Sequence, residues 1–305
     1  MTGTRTQTFA MLAALSLCPV LAQAHGVESH GAAAATLGAL PWTFEPWEIG
    51  CLLVSAALYA AGVWRLWRHA GVGRGVGFTE VAEFALGLLA IVAALVSPLD
   101  ALSDSLFSAH MVEHELLMIV AAPLLVLARP LAAWAWALPA SWRGAIGGFF
   151  HRPGWRRPWL LFTGPFWAWL LHLLALWLWH IPALFEAATA NEGIHAFQHI
   201  CFLGTALVFW WSVLGKATRH HRGIALLSIF ATMIHTGALG ALLTLSNVVW
   251  YSSYLATTSA WGLTPLQDQQ LGGIIMWVPT GLVYIACGLW LMTRWLSEAP
   301  RFSRA

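Results

Sequence analysis

Seven long apolar stretches alternate with short polar or basic segments along this chain. Each stretch approaches the roughly 20 mostly apolar residues with which an α-helix crosses a bilayer. The pattern therefore predicts an all-α fold, a polytopic membrane bundle with helices over 46–67, 79–98, 108–128, 159–180, 194–215, 223–245 and 271–294. Pro165 and Pro279 fall inside two of these spans, where neighbouring helices can tolerate a proline.

Composition supports a membrane protein and argues against a soluble domain. Of the 305 residues, 59% are hydrophobic and only 9% are charged, whereas a soluble domain carries about 25% charge. The four cysteines lack CxxC spacing, so they suggest neither a disulfide framework nor a thiolate metal site. In the longer connection over 129–158, the sequence LAAWAWAL is predicted to be a short interfacial helix.

The first residues are typical of a cleavable signal peptide. Arg5 precedes a short apolar core, and Ala22-Gln23-Ala24 has the small-x-small pattern of a cleavage site. The expected organisation is a signal peptide over 1–24, a periplasmic tail over 25–45, a seven-helix transmembrane domain over 46–295 and a cytoplasmic tail over 296–305.

Basic residues predict the orientation of the bundle, because Lys and Arg concentrate on the cytoplasmic side. With the mature N-terminus in the periplasm and the C-terminus in the cytoplasm of a bacterial inner membrane, all 15 Lys and Arg fall on the cytoplasmic side. The outer side then carries ten of the 13 acidic residues and eight of the 13 histidines. Such a surface attracts cations.

Two histidine pairs stand at predicted outer helix ends. His110 and His114 occur in HMVEH, and His195 and His199 occur in HAFQH. Residues four apart share a helix face, with about 5–6 Å between their Cβ atoms. The same spacing brings two imidazoles to one zinc ion in the helical HExxH motif.

Two further spans bring single imidazoles toward the same level, at His180 and His235. Ionisable residues inside membranes are costly and usually mark a functional site. We interpret His172, in the middle of its span, as a hydrogen-bonded structural residue. The predicted metal ligands are His110, His114, His180, His195, His199 and His235.

Copper is the favoured metal, and several alternatives stay open. Imidazole suits copper, zinc, iron and nickel, and thioethers such as those of nearby Met111 and Met118 favour Cu(I). Haem b held between histidines of two helices is the main rival. HMVEH also matches the H-x-x-E-H zinc-peptidase pattern with Glu113 as general base, and paired HxxxH motifs occur in membrane di-iron oxygenases.

The chain resembles the seven-span CtaG-type cytochrome c oxidase assembly factors associated with the caa-type oxidase. The resemblance covers about 80–295 and rests on five blocks in the family's order. They are HMVEHELLMIVAAPLLVLARP, LWHIPALFEAA, IHAFQHICFLGTALVFWW, HTGALGALLT and LTPLQDQQLGGIIMWVP. Gln198 departs from the family pattern, in which an acid is expected, and this bears on the charge balance of the second histidine pair.

The resemblance implies a role in maturing a haem–copper oxidase, with copper as cofactor and no enzymatic activity. The implied partners are cytochrome c oxidase subunits or other copper chaperones, together with membrane lipids and without nucleic acid. Matching the last block adds Asp268, Gln269 and Met276 as residues expected at the cofactor site. Asp268 and Gln269 are expected either to order the outer loop or to orient the imidazoles. The alternative functions are copper transport or resistance, and electron transfer through bound haem.

Overall fold

The computed structural model describes residues 40–215 and 222–298, and the regular elements within these ranges are all helices. The signal peptide predicted over 1–24 lies outside the described residues, as do most of the two predicted tails. The first elements are α1 (Pro46–Ala70), α2 (Phe78–Leu95), α3 (Pro98–Ser103), α4 (Phe107–Glu115), a π-helix (Leu116–Ala121), α5 (Ala122–Ala128) and α6 (Pro130–Ala137). They are followed by α7 (Ala140–His151), α8 (Pro153–Phe162), α9 (Pro165–Trp179), α10 (Pro182–Thr189), α11 (Glu192–Leu214), α12 (Arg222–Leu245) and α13 (Pro265–Glu298).

Six helical segments are long and apolar enough to cross a membrane, and a bent pair makes seven if it is counted as one span. The six are Pro46–Ala70, Phe78–Ser103, Phe107–Ala128, Glu192–Leu214, Gly223–Leu245 and Pro265–Ser297. Each overlaps a span predicted from the apolar pattern. The chain is therefore a multi-pass membrane protein, with six or seven candidate spans in the part that the structure describes.

The predicted fourth span is not one straight helix. It consists of α8 and α9, which meet at an angle of 66°. Pro165 lacks an N–H and disfavours a helical conformation at the preceding residue, and Gly164 is accordingly extended, with φ −67° and ψ 144°. Pro165, which was expected inside a span, begins the second helix of this bent pair.

The third span changes its winding directly after the HMVEHE sequence. Its π-helix precedes Pro123, which has no N–H to donate to the carbonyl of Ile119. The Trp210 indole donates to the Met118 carbonyl at 2.8 Å, so a neighbouring span supports the wider turn. Single-turn π-helices are often found at functional sites.

Helix α6, which contains most of the LAAWAWAL sequence, packs tightly against α1. Gly62 meets the backbone carbonyl of Ala133 so closely that a Cβ would not fit. Trp134 is buried and donates to the Ser55 carbonyl at 3.0 Å. The predicted short helix is present, and its Trp134 face belongs to the protein core.

Close approach of α12 and α13 positions the last span against the third. A Cβ added to Gly240 would lie 2.8 Å from the Gly273 carbonyl, and one added to Gly273 would lie 2.7 Å from the Gly240 carbonyl. Small residues let transmembrane helices approach closely. One residue earlier, Gly272 lies directly against the Phe107 ring at the beginning of α4.

Candidate metal centre

The helix that carries HMVEH is held at its first turn by Asp268 of α13. The carboxylate accepts from the Phe107 N–H at 2.7 Å, the Ser108 N–H at 3.1 Å and the Ser108 hydroxyl at 2.5 Å. The first N–H groups of a helix have no partner within the helix and favour an anion. Asp268 therefore determines where α4 begins and where His110 faces.

The helix that carries HAFQH begins with a side-chain cap. Asn191 accepts from the Ile194 N–H at 3.0 Å, as is common at helix N-termini. His195 and His199 consequently lie in the first two turns of α11. The beginnings of α4 and α11 bring the two histidine pairs face to face.

Four imidazoles from these two helices form a compact group, which we call the histidine cluster: His110, His114, His195 and His199. Ring centroids lie 4.3 Å apart for His110–His114, 5.0 Å for His110–His195 and 4.2 Å for His195–His199. The His114 and His199 centroids are 5.5 Å apart. The predicted convergence of the two HxxxH pairs is therefore present.

These distances suit ligands of one small ion. With metal–nitrogen bonds of about 2.0 Å, two imidazoles on a tetrahedral metal have centroids roughly 5 Å apart. One ligand nitrogen each from His110, His114 and His195 lies within 4.8 Å of the others. Small rotamer changes would close this triad around an ion.

His180 lies at the edge of the cluster. Its ring centroid is 6.3 Å from that of His114. Its Nδ1 lies 2.7 Å from the Leu176 carbonyl, an arrangement that orients the ring and directs Nε2 away, as in many metal-ligating histidines. The Tyr251 hydroxyl also donates to the His180 carbonyl at 2.9 Å.

Glu113 is a candidate ligand that the sequence-based set omitted. Its side chain is 0% exposed, and its Oε1 lies 3.5 Å from Nε2 of His199. Together with His195 and His199 it forms a second group whose ligand atoms lie within 4.8 Å of one another. The sequence feature that could have identified Glu113 is its spacing in HMVEH, which places it on the same side of α4 as His110.

Polar atoms without hydrogen-bond partners concentrate at this site. They include Nε2 of His110, His180, His195 and His199, both ring nitrogens of His114 and both carboxylate oxygens of Glu113. Most buried polar atoms in proteins have a partner, and an unsatisfied one costs about 1–3 kcal/mol. The donor set thus fits a metal ion, which would satisfy several of these atoms at once.

An apolar cavity of about 590 Å³ lies against one side of the cluster. His199 contributes to its wall beside Leu117 and Leu203. A hydrated cation is poorly solvated by such a lining. On another side, Asp100, Ser103 and Asp104 surround Glu113.

His235 does not join the cluster, contrary to the sequence-based expectation. Within the described chain its aromatic contact is with Trp169, at a centroid distance of 6.1 Å. His235 lies ten residues before the end of α12 at Leu245, which is about 15 Å along a helix. The residue is therefore too deep, because the cluster occupies the first turns of α4 and α11.

The three residues of the last sequence block bond or pack outside the histidine cluster, and Gln269 orders the loop before α13, one of the two roles expected for it. Asp268 holds the first turn of α4 and accepts from no imidazole in the described structure. Gln269 bonds to the backbone of Val248 and Trp250. Met276 is buried in a core group with Phe107 and Tyr251.

His172 has the structural role that its sequence position indicated. Its Nδ1 lies 3.2 Å from the Thr205 hydroxyl, and its ring stacks on Phe209 at 5.4 Å. Cys51, Cys201 and Cys287 form no disulfide among the described residues. The candidate metal ligands at this level of the bundle are therefore imidazoles and carboxylates.

Three mycobacterial proteins of uncharacterised function are similar to this chain. Those of Mycobacterium bovis and Mycobacterium tuberculosis are 29% identical over 276 residues, and that of Mycobacterium leprae is 27% identical over the same length. Each comparison covers 85% of this chain and 40% of the relative, so the chain spans well under half the length of these proteins. No solved structure matches the chain.

Residues 57–298 match the family described as cytochrome c oxidase caa3 assembly factor. The matched range contains both HxxxH pairs, Glu113 and the Asp268 contact with α4. It covers well over half of the chain, and it agrees with the resemblance seen in the sequence blocks. The chain therefore belongs to the cytochrome c oxidase caa3 assembly factor family, Caa3_CtaG.

Proposed function

We propose that this protein binds copper at the histidine cluster and supports the maturation of a caa-type haem–copper oxidase. The observation that carries the proposal is the burial of several ligand atoms without hydrogen-bond partners at one point of the bundle. Burying such groups is costly, and a bound ion would offset that cost. Membership of an oxidase assembly family supplies the process in which the ion would be used.

Copper fits the donor set and the family better than the other metals considered. Imidazole binds copper strongly in both common oxidation states, and Cu²⁺ exceeds zinc in the order of affinities. The thioethers of Met111 and Met118 give little support for Cu⁺, because the two residues belong to separate hydrophobic groups of the core. The assignment therefore rests on the imidazoles and on the copper content of the oxidase that the family serves.

Haem b is less well supported by the arrangement of rings. A haem ligated by two histidines places its macrocycle between them. His110, His114, His195 and His199 instead contact one another directly, with adjacent centroids 4.2–5.5 Å apart. A small ion fits this geometry without separating the helices.

The proposed orientation places the cluster on the periplasmic side of a bacterial inner membrane, with the C-terminus in the cytoplasm. Basic groups mark the opposite end of the bundle, where Arg65 donates to the Ala137 carbonyl at 2.5 Å and Arg129 lies 3.9 Å from Glu80. Basic residues favour the cytoplasmic side. The proposed partners are oxidase subunits or a periplasmic copper chaperone.

The test is a strain that carries His110→Ala together with His114→Ala. Oxidase activity should fall while the protein stays in the membrane, and the purified protein should contain less copper than the wild type. His235→Ala is the matched control, because it removes a membrane-embedded imidazole outside the cluster. Normal oxidase activity in the double variant would refute the assembly role, and copper uptake that changes while oxidase activity stays normal would favour transport.

A further inference from the structure

We propose that the cluster contains two overlapping metal positions that share His195. The first, which we call the imidazole position, consists of His110, His114 and His195. The second, which we call the carboxylate position, consists of Glu113, His195 and His199. This inference rests on the proposed copper function and divides it between two neighbouring sites.

The geometry supports two positions because two donor triads meet the same distance requirement. In each triad, one ligand atom per residue lies within 4.8 Å of the other two. His110, Glu113 and His114 occupy positions i, i+3 and i+4 of α4, which share one face of a helix. Glu113 approaches α11 at His199, 3.5 Å away.

Charge balance gives the two positions different preferences. Three neutral imidazoles around Cu⁺ leave one positive charge in a buried site, and around Cu²⁺ they leave two. The Glu113 carboxylate reduces the charge of a bound Cu²⁺ complex to one. Because buried uncompensated charge is costly, the imidazole position should prefer Cu⁺ and the carboxylate position should prefer Cu²⁺ or another divalent ion.

Acidic residues of increasing burial connect the surface with the carboxylate position. Asp104 is exposed, Asp100 is partly buried and Glu113 is fully buried, and both aspartates lie close enough to act electrostatically on Glu113. The side of the cluster near His199 faces an apolar cavity. A divalent cation should therefore approach along the acids and meet Glu113 first.

The hydrogen bonding of the Glu113 carboxylate also supports the carboxylate position. Both of its carboxylate oxygens are buried and make no short hydrogen bond, and the polar groups near them are those of Ser103 and Asp100. Glu115, two residues further along the chain, is also buried, but its carboxylate accepts from the Thr280 hydroxyl. The contrast indicates that Glu113 is directed at a ligand and that Glu115 is a structural group.

The experiment uses the full-length purified protein in detergent and titrates Cu⁺ anaerobically and Cu²⁺ aerobically against chelators. Glu113→Gln should weaken Cu²⁺ binding at least about tenfold and leave Cu⁺ binding unchanged. His110→Ala should do the opposite, and His195→Ala should weaken both. Glu115→Gln is the matched control and should change neither.

Two further measurements keep the test decisive if Glu113→Gln folds poorly. Glu113→Asp retains the negative charge and should retain more Cu²⁺ affinity than Glu113→Gln. Electron paramagnetic resonance of Cu²⁺ bound to the wild type should show two nitrogen ligands and an oxygen ligand. Three equivalent imidazoles in that spectrum would overturn the carboxylate position.

The outcomes separate this inference from the proposed function. If His110→Ala weakens Cu⁺ and Cu²⁺ binding equally, or if Glu113→Gln leaves Cu²⁺ binding unchanged, the protein has one copper site. Either result would refute the division into two positions. A wild-type protein that binds neither ion would refute the proposed copper function and this inference together. Selective loss of one ion in each variant would support both.

Discussion

Two buried polar regions lie near the same end of the bundle, and they differ in how their polar groups are satisfied. In the first, the histidine cluster, Glu113 and the neighbouring Gln198 leave carboxylate and amide atoms without partners. In the second, which we call the α13 junction, Asp268 and Gln269 bond to the backbones of other elements. Glu113 and Gln198 are as deeply buried as Asp268 and Gln269, so burial alone does not distinguish the two regions.

The two regions differ in partner content, although a lack of partners also occurs outside the cluster, at His235. The Asp268 carboxylate accepts three hydrogen bonds from α4, and these take the place of hydrogen bonds to water. Gln269 accepts from the Trp250 N–H at 2.6 Å and donates to the Val248 carbonyl at 3.1 Å. A satisfied buried group adds stability and specificity of packing, whereas an unsatisfied one costs stability. The unsatisfied region is the one whose donor atoms could hold a metal ion.

The largest expected effect is the loss of metal binding on His114→Phe. The new ring fills similar space near Phe202, whose centroid lies 4.5 Å from that of His114, and it removes two unpartnered nitrogens. Cu⁺ affinity should fall by more than about 100-fold, and the apo protein should be equally or more stable. Metal titration and thermal unfolding in detergent measure both quantities.

His235→Phe is the control for this variant, because His235 also has two unpartnered ring nitrogens and lies outside the cluster. Its metal affinity should equal that of the wild type. Comparable loss of metal in both histidine variants would show that the cluster does not define the binding site.

Asp268→Ala should produce the largest loss of stability. It leaves the Phe107 and Ser108 N–H groups buried at the start of α4 without their acceptor. The expected cost is about 3 kcal/mol, since each unsatisfied group costs about 1–3 kcal/mol. Thermal unfolding of apo protein measures it, and an unchanged midpoint would contradict the structural role of the α13 junction.

The same substitution in the two regions should have opposite effects. Gln269→Leu removes two hydrogen bonds to the Trp250 and Val248 backbone and should destabilise the apo protein by about 2 kcal/mol. Gln198→Leu removes an amide that makes no short hydrogen bond and lies near His110, and it should be neutral or stabilising. The two residues are 1% and 0% exposed, so equal destabilisation would show that burial matters more than partners.

The smallest effect is expected where α10 meets the loop before α13. There Glu186 accepts from the Ser252 N–H at 2.7 Å and from its hydroxyl at 2.5 Å. These bonds lower the pKa of Glu186 below its usual 4.5. Because the pKa of Glu186 is lower in the folded state than in the unfolded state, the contact stabilises the fold above pH 4.5. This stabilisation is lost as the pH falls through the folded-state pKa. The gain is small because the carboxylate is exposed.

Hydrogen exchange at the Ser252 amide tests this contact. Comparison with Glu186→Gln at each pH removes the intrinsic pH dependence of exchange. The wild type should be better protected at neutral pH, and the difference should disappear in acid. A difference that persists at low pH would contradict the assigned role of the carboxylate.

The sequence by itself determined the membrane character, six of the helical segments and the pairing of histidines at two helix ends. These features are local: apolar length decides whether a helix spans a bilayer, and a four-residue spacing decides whether His110 and His114 share a face. The order of the blocks also allowed the family to be recognised. None of these inferences requires knowledge of which helices are neighbours.

Only the tertiary structure decided which polar groups find partners. It directs Asp268 to the first turn of α4, places Glu113 beside His199 and leaves His235 near Trp169. Asp268 and Phe107 are 161 residues apart in sequence, and their contact depends on how closely α12 and α13 approach. Helix packing thus determines the partners, and the partners determine whether a buried polar residue is structural or is available to a ligand.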